Sequence, residues 1–148
     1  MKKKIAISII THNRPNYLKE SIDSILNQSF DDFDLFILDN GSSIETLDLI
    51  NSYDDARIYY KRSETNDPLF SNIALEHTGY KYLMLTHDDD FIDKEFLAEQ
   101  LSILDLDDKI DVLACRIKLI DSTGKNLNKI RPFKFRKRFK KKILQTNK

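Results

Sequence analysis

The chain has 148 residues, 41% of them hydrophobic and 32% charged, a composition that fits one globular domain and excludes a collagen-like or fully disordered chain. Its 24 basic and 24 acidic side chains cancel overall but are segregated: residues 1–121 carry 13 Lys/Arg against 24 Asp/Glu, and residues 122–148 carry 11 Lys/Arg and no acid. Cys115 is the only cysteine, which excludes an intrachain disulfide and fits a reducing compartment, and no apolar run approaches the ~20 residues of a membrane-spanning helix.

Met1-Lys2-Lys3-Lys4 followed by Ile5 to Ile10 imitates a secretory signal. Six apolar residues are too few for one, however, and polar Thr11-His12-Asn13-Arg14 follows without a cleavage site, so the run reads as a first strand. Its β-branched, charge-free character suits a parallel strand covered on both faces. Pro15 suits a first helical turn, and Leu18, Ile22, Ile25 and Leu26 recur on one helical stripe up to about Gln28. The unit then repeats. Phe33 to Leu38 is a second apolar run, Asp39-Asn40-Gly41-Ser42-Ser43 a polar turn, and Ile44 to Ile50 returns to helical spacing.

A weaker third strand is expected over Arg57 to Lys61, followed by a helix that carries Phe70, Ile73, Ala74 and His77 on one stripe. The fourth strand, Tyr82 to Thr86, ends abruptly in His87-Asp88-Asp89-Asp90. Asp93 suits a helix cap before the stripe Leu97, Leu101, Leu104. Val112 to Ile120 reads as a fifth strand, with Cys115 a small buried hydrophobe, closing on the turn residues Asp121-Ser122-Thr123-Gly124. Strands alternating with helices imply an α/β fold with a mostly parallel sheet. From Lys129 to Lys148 ten basic residues are interleaved with Phe133, Phe135 and Phe139, without a sustained helical stripe. This segment is expected to be poorly ordered in isolation.

In open α/β sheets, ligands bind beyond the carboxyl ends of the strands, and three such ends carry polar groups: Thr11-His12-Asn13, Asp39-Asn40 and Asp88-Asp89-Asp90. Three adjacent carboxylates repel one another. A bound Mg²⁺ or Mn²⁺, which prefers carboxylate oxygens and is often shared with substrate phosphates, offsets that repulsion. The competing reading is a solvated acidic turn at the start of the next helix. His87 and His77 read as hydrogen-bonded or packed side chains, whereas His12 has the better claim as a binding group.

With Gly only at 41, 79 and 124, the chain carries neither GxGxxG nor a Walker A loop, and it has no GxSxG elbow. A dinucleotide oxidoreductase, a P-loop NTPase and the common nucleophile arrangements are therefore excluded. The basic segment admits anionic lipid, nucleic acid or solvent alone. Interleaved Phe favours a membrane surface, and the acidic body disfavours nucleic acid.

The stretches Ser8-Ile9-Ile10-Thr11-His12-Asn13-Arg14-Pro15, Leu18 to Ile22, Ser24-Ile25-Leu26-Asn27-Gln28-Ser29-Phe30 and Leu38-Asp39-Asn40-Gly41-Ser42 resemble the start of an inverting family 2 glycosyltransferase of GT-A fold. The resemblance continues through Asn66 and Asn72 into Tyr82 to Asp90, the counterpart of the family's DXD segment, and covers roughly Lys3 to Asp121. It implies a three-layer α/β/α sandwich, incomplete at its C-terminus, with residues 1–124 binding the nucleotide sugar and 125–148 a basic tail that begins an acceptor half. It also implies that Thr11, His12 and Asn13 hold the base and ribose, His12 replacing the more usual Tyr. Asp39 would contact the base, and Asn40, Asn72 and Asp88 would complete the donor site. Asp89 and Asp90 would take Mg²⁺ or Mn²⁺. The motif register is either His87-Asp88-Asp89 or Asp88-Asp89-Asp90.

The expected reaction is transfer from a nucleotide diphosphate sugar, UDP-linked, to a glycan or lipid-linked acceptor hydroxyl in bacterial surface polysaccharide synthesis, at the cytoplasmic face of a membrane. The catalytic base of such enzymes is an Asp or Glu of the acceptor half. No acid follows Asp121 here, so the base is expected beyond Lys148. Two alternatives stand beside this reading: a donor-binding chain without turnover, and an unrelated Asp-dependent phosphotransfer or receiver domain.

Overall fold

A computed structural model describes residues 3–77, 79–131 and 143–145. The chain divides into two compact units, residues 1–97 and 98–148.

The first unit is built on a four-stranded parallel sheet of β1 (Ile5–Thr11), β2 (Phe33–Asp39), β3 (Ile58–Arg62) and β4 (Tyr82–His87), ordered β3-β2-β1-β4. Helices α1 (Pro15–Leu26) and α2 (Ile44–Asn51) connect β1 to β2 and β2 to β3. Both crossovers step the same way across the sheet, so right-handedness puts both helices on one face. The step from β3 to β4 runs back past β2 and β1, and its connection falls on the opposite face. There a 3-10 helix, Phe70–Glu76, packs Phe70, Ile73 and Ala74 against Ile10, Phe36 and Leu38.

Register shows which residues share a face. Ile5, Ile7, Ile9 and Thr11 of β1 stand beside Phe33, Leu35, Ile37 and Asp39 of β2, and all eight are buried. The stripe expected on α1 is likewise buried at Leu18, Ile22 and Ile25. Removing each such side chain from water contributes about 1.5–3 kcal/mol before entropy is charged against it. Pro15 occupies the first turn of α1, where its missing N–H costs nothing. The α/β class and the mostly parallel sheet are those the sequence implies.

Two elements differ from expectation. The helix expected to carry His77 is a short 3-10 turn that ends at Glu76. Asp67 binds the N–H of Leu69 through its side chain and that of Phe70 through its carbonyl, and Gly79 at φ +94° follows, leaving no room for a longer helix. His77 lies just past the end, stacked on Phe36 with ring centroids 3.7 Å apart. Burial lowers its pKa. It is packed, as expected.

The second difference lies in the second unit, where Val112–Ile120 is not one strand. It divides into β5 (Val112–Ala114) and β6 (Ile117–Ile120) because its halves join different sheets. β5 pairs in parallel with β8 (Ile143–Gln145), and β6 pairs antiparallel with β7 (Asn126–Arg131). Cys115, in the break, is half-buried rather than buried. The expected turn does form. Asp121 accepts hydrogen bonds from the N–H groups of Thr123 and Lys125, and Gly124 takes φ +80°. Helix α3 (Phe96–Leu104) buries Leu97 and Leu101 of its expected stripe. Of the basic segment 125–148, residues 132–142 and 146–148 lie outside the described residues, among them Phe133, Phe135 and Phe139.

Candidate functional site

Strand order reverses at β1, which has β2 and β3 on one side and β4 on the other, and the loops beyond the carboxyl ends at such a point are where open α/β sheets take ligands. The loops after β1, β2 and β4 meet there. Thr11 Oγ1 donates to Asp88 Oδ2 at 2.8 Å, with both residues buried. The backbone N–H of Asn40 donates to the Thr11 carbonyl at 2.9 Å. Parallel pairing makes these contacts possible by bringing Thr11 level with Asp39 and Ile10 level with His87.

His12 Nδ1 lies 2.9 Å from the carbonyl of Asn40, and its Nε2 lies 3.2 Å from Asn13 Nδ2. A carbonyl only accepts, so Nδ1 donates and Nε2 is left to accept from the Asn13 amide, the pattern of a neutral imidazole. Asn13 takes φ +57°, a left-handed conformation that Asn tolerates. Its N–H donates to Ser42 Oγ and its Oδ1 accepts from the Ser43 N–H, which laces the first loop to the second.

Asp39 has no exposed surface. Its Oδ1 accepts from the Ser42 N–H at 2.8 Å and its Oδ2 from the Tyr60 hydroxyl at 2.7 Å, with Arg62 Nε 3.7 Å away. Arg62 also donates to the Ser42 carbonyl. A buried carboxylate is tolerable only when paired and hydrogen-bonded in this way. Burial first, then the bond to Asp39, raises the Tyr60 pKa to about 12.

Asn40 carries the network onward, donating to Asn66 Oδ1 at 2.7 Å and accepting the Asp67 N–H at 2.8 Å. Between Asp39 and Ser42 the chain turns at Gly41, φ +76°, where an added Cβ would stand 2.8 Å from the Thr65 carbonyl carbon. Only glycine allows the 63–67 loop to approach this closely.

The acidic cluster is divided by its surroundings. Asp88 is 4% exposed and anchored by Thr11, whereas Asp89 presents a side chain that is 52% exposed. Arg14 Nη1 reaches both carboxylates, at 3.4 Å from Asp88 and 3.2 Å from Asp89. Burial of its carboxyl, then the Asp89 charge, raises the Asp90 pKa. Carboxylates are the right donors for Mg²⁺ or Mn²⁺. Among the described residues, however, no three His, Cys, Asp or Glu side chains converge to form a cage, so the protein would supply one or two ligands and leave positions for phosphate and water.

Thr11, His12, Asn13, Asp39, Asn40 and Asp88 are thus joined in one network, with Asp89 at its edge through Arg14. Asn72 is not. It lies exposed in the 3-10 helix, and its described bond, from its N–H to the Leu69 carbonyl, stays within that turn. Sequence reasoning missed Arg14, Ser42, Tyr60 and Arg62 as site residues. Tyr60 and Arg62 had a legible signal, since side chains two apart on β3 share a face and Arg62 is level with Asp39.

A family model described as glycosyl transferase family 2 matches residues 6–148. An uncharacterized glycosyltransferase of Methanocaldococcus jannaschii is 31% identical over 141 residues, 91% of this chain and 49% of its own length. The Staphylococcus aureus poly(ribitol-phosphate) beta-N-acetylglucosaminyltransferase TarS is 26% identical over 129 residues, 82% of this chain and 22% of its own length. The crystal structure of TarS residues 1–349 in complex with UDP-GlcNAc aligns with TM-score 0.73 and 25% identity, covering 80% of this chain and 36% of that one. Mannosyltransferase PcManGT from Pyrobaculum calidifontis, solved with GDP-Man and Mn²⁺, shares the fold at TM-score 0.68 and 17% identity over 80% of this chain and 36% of that one. The chain therefore spans about half the length, or less, of these curated relatives.

The Tyr60 bond has a pH signature. A phenol whose pKa the fold raises from 10.0 to about 12 contributes stability that is fully present below pH 10 and is lost as pH climbs through 12. Tyr60→Phe is expected to cost about 1 kcal/mol at pH 9. In urea unfolding, its deficit relative to wild type is expected to shrink between pH 10 and pH 12. A deficit that stays constant across that range would contradict the assignment.

Proposed function

The chain belongs to glycosyl transferase family 2, and on that footing we propose that it binds a UDP-linked sugar in the crevice beyond β1, β2 and β4 for transfer to an acceptor hydroxyl. The observation that carries this reading is the convergence of three loops into one hydrogen-bonded network. It sets a buried carboxylate, Asp39, at one end and the Asp88–Asp89 pair at the other. Such a layout offers a rigid turn for the base and, separately, hard oxygen ligands for a diphosphate-bound cation. UDP-GlcNAc bound to TarS supports the choice of uridine.

In this reading the turn after β2 meets the uracil, and Asp39 fixes that turn from beneath through its bonds to Ser42 and Tyr60. His12 and Asn13 face the ribose, and Asn40 holds the 63–67 loop against the base. Asp88-Asp89-Asp90 serves as the DXD segment, with Asp89 and Asp90 offered to Mg²⁺ or Mn²⁺. The cation would neutralise charge developing on the leaving diphosphate. No residue of the three loops is assigned the base that deprotonates the acceptor. That role goes to an acceptor half following a donor domain over residues 1–124. The acceptor is proposed to be a glycan or lipid-linked glycan of a surface polysaccharide. The name of TarS supports a sugar-phosphate polymer among such substrates.

Calorimetry with UDP and Mn²⁺ tests the donor site. Wild type is expected to bind UDP in a Mn²⁺-dependent manner, and Asp89→Ala to weaken that binding tenfold or more, about 1.4 kcal/mol. Binding that needs no metal, or that survives Asp89→Ala unchanged, would sink the reading. We also propose a site of action at the cytoplasmic face of a membrane, through the basic residues of 125–148. Sedimentation with phosphatidylserine vesicles is expected to carry the protein down at low salt and release it by 0.5 M salt, a roughly threefold screening of the Debye length from ~0.05 M. Retention at high salt, or equal binding to neutral vesicles, would contradict an electrostatic contact.

A further inference from the structure

Arg14 is the one cation shared by the two carboxylates at the head of the acidic cluster among the described residues, and nothing in the donor-site reading gives it a role. It leaves β1 three residues beyond Thr11, immediately before the Pro15 that starts α1, so its backbone is fixed by the strand on one side and the helix on the other. The side chain is half-exposed, and its Nη1 lies 3.4 Å from buried Asp88 and 3.2 Å from exposed Asp89. Asp88 is held independently by Thr11, whereas Asp89 has Arg14 as its described ion-pair partner.

The strengths of these contacts indicate which one yields. A half-exposed ion pair is weak, because water screens it and ordering a long side chain costs entropy. The buried Thr11–Asp88 bond cannot open without leaving a carboxylate desolvated and unpaired. Anything that competes for the Asp pair will therefore displace the guanidinium and leave the carboxylates in place. A divalent cation carries twice the charge and binds the same oxygens directly.

The geometry points to Arg14 as the resident counter-cation of the donor site. Without a divalent ion it neutralises Asp88 and Asp89, and it yields that position when the ion binds. Its freed guanidinium then becomes a planar, bidentate partner for the donor's diphosphate. This rests on the donor-site reading of Asp88 and Asp89 and adds a consequence to it. Metal alone must displace Arg14 with nothing offered in return, while metal and nucleotide together give Arg14 a new partner, so each strengthens the binding of the other.

The experiment is a Mn²⁺ titration of the full chain followed by the electron paramagnetic resonance of free Mn²⁺, with and without UDP. It compares wild type, Arg14→Gln, Arg14→Lys and Asp89→Asn. Without UDP, Arg14→Gln is expected to bind Mn²⁺ about fivefold more tightly than wild type, and Arg14→Lys, which keeps the charge, to stay within about twofold of it. Asp89→Asn is expected to lose the site. The gain in Mn²⁺ affinity on adding UDP is expected to be several-fold smaller in Arg14→Gln than in wild type. Equal or weaker Mn²⁺ binding by Arg14→Gln without UDP would overturn the proposal. So would the absence of measurable Mn²⁺ binding in both proteins, or a Mn²⁺ site indifferent to Asp89→Asn. The donor reading fails separately, if UDP leaves Mn²⁺ affinity unchanged in wild type while the UDP-free difference between wild type and Arg14→Gln persists.

Discussion

Parallel pairing of β1 with β2 on one side and β4 on the other is the constraint on which the first unit depends. It makes β1 fully internal, so its side chains on both faces must be apolar or satisfied by partners. It also reverses the direction of winding and opens a crevice at the carboxyl ends. Thr11 shows how tightly these consequences are linked. As the last residue of β1 it is buried, its carbonyl accepts the N–H of Asn40 after β2, and its hydroxyl donates to Asp88 after β4. One residue thereby holds two loops that are distant in sequence at a common distance.

The site follows the same economy. Each carboxylate that is buried, Asp39 or Asp88, is hydrogen-bonded and lies near an arginine, Arg62 or Arg14, while Asp89 is left at the surface beside Arg14. Buried, paired carboxylates are rigid, and an exposed one is free to meet a ligand. In the proposed donor site, this division would make the Asp39 turn the fixed part and the exposed Asp89 the part that exchanges partners. Gly41 extends the logic to the backbone, since the 63–67 loop can close on the second loop only where no Cβ intervenes.

Most of this framework was legible in the residues. The apolar runs at Ile5 and Phe33, the stripe of α1 and the polar groups at three strand ends identify the elements and their order, because burial on both faces of a parallel sheet leaves a mostly apolar signature. Where partner choice is non-local, legibility fails. Val112 to Ile120 reads as one strand, and nothing within it says that its halves pair with strands that begin 23 and 6 residues beyond its end by different geometries. Asn72 was taken into the donor set by resemblance, and its placement in a 3-10 turn depends on Asp67 capping that turn. Arg14 was visible in the loop, but its partners are 74 and 75 residues away, and no local pattern encodes that reach.

The central claim is that three loops form one donor site. Hydrogen exchange of the full chain with and without UDP and Mn²⁺ tests it most directly, because it reads every backbone amide at once. The account predicts slowed exchange together in residues 11–14, 39–43, 63–67 and 86–90, with the amides of β2 and β3 below the crevice unchanged. Slowing confined to one of these loops, or centred on another part of the chain, would contradict it.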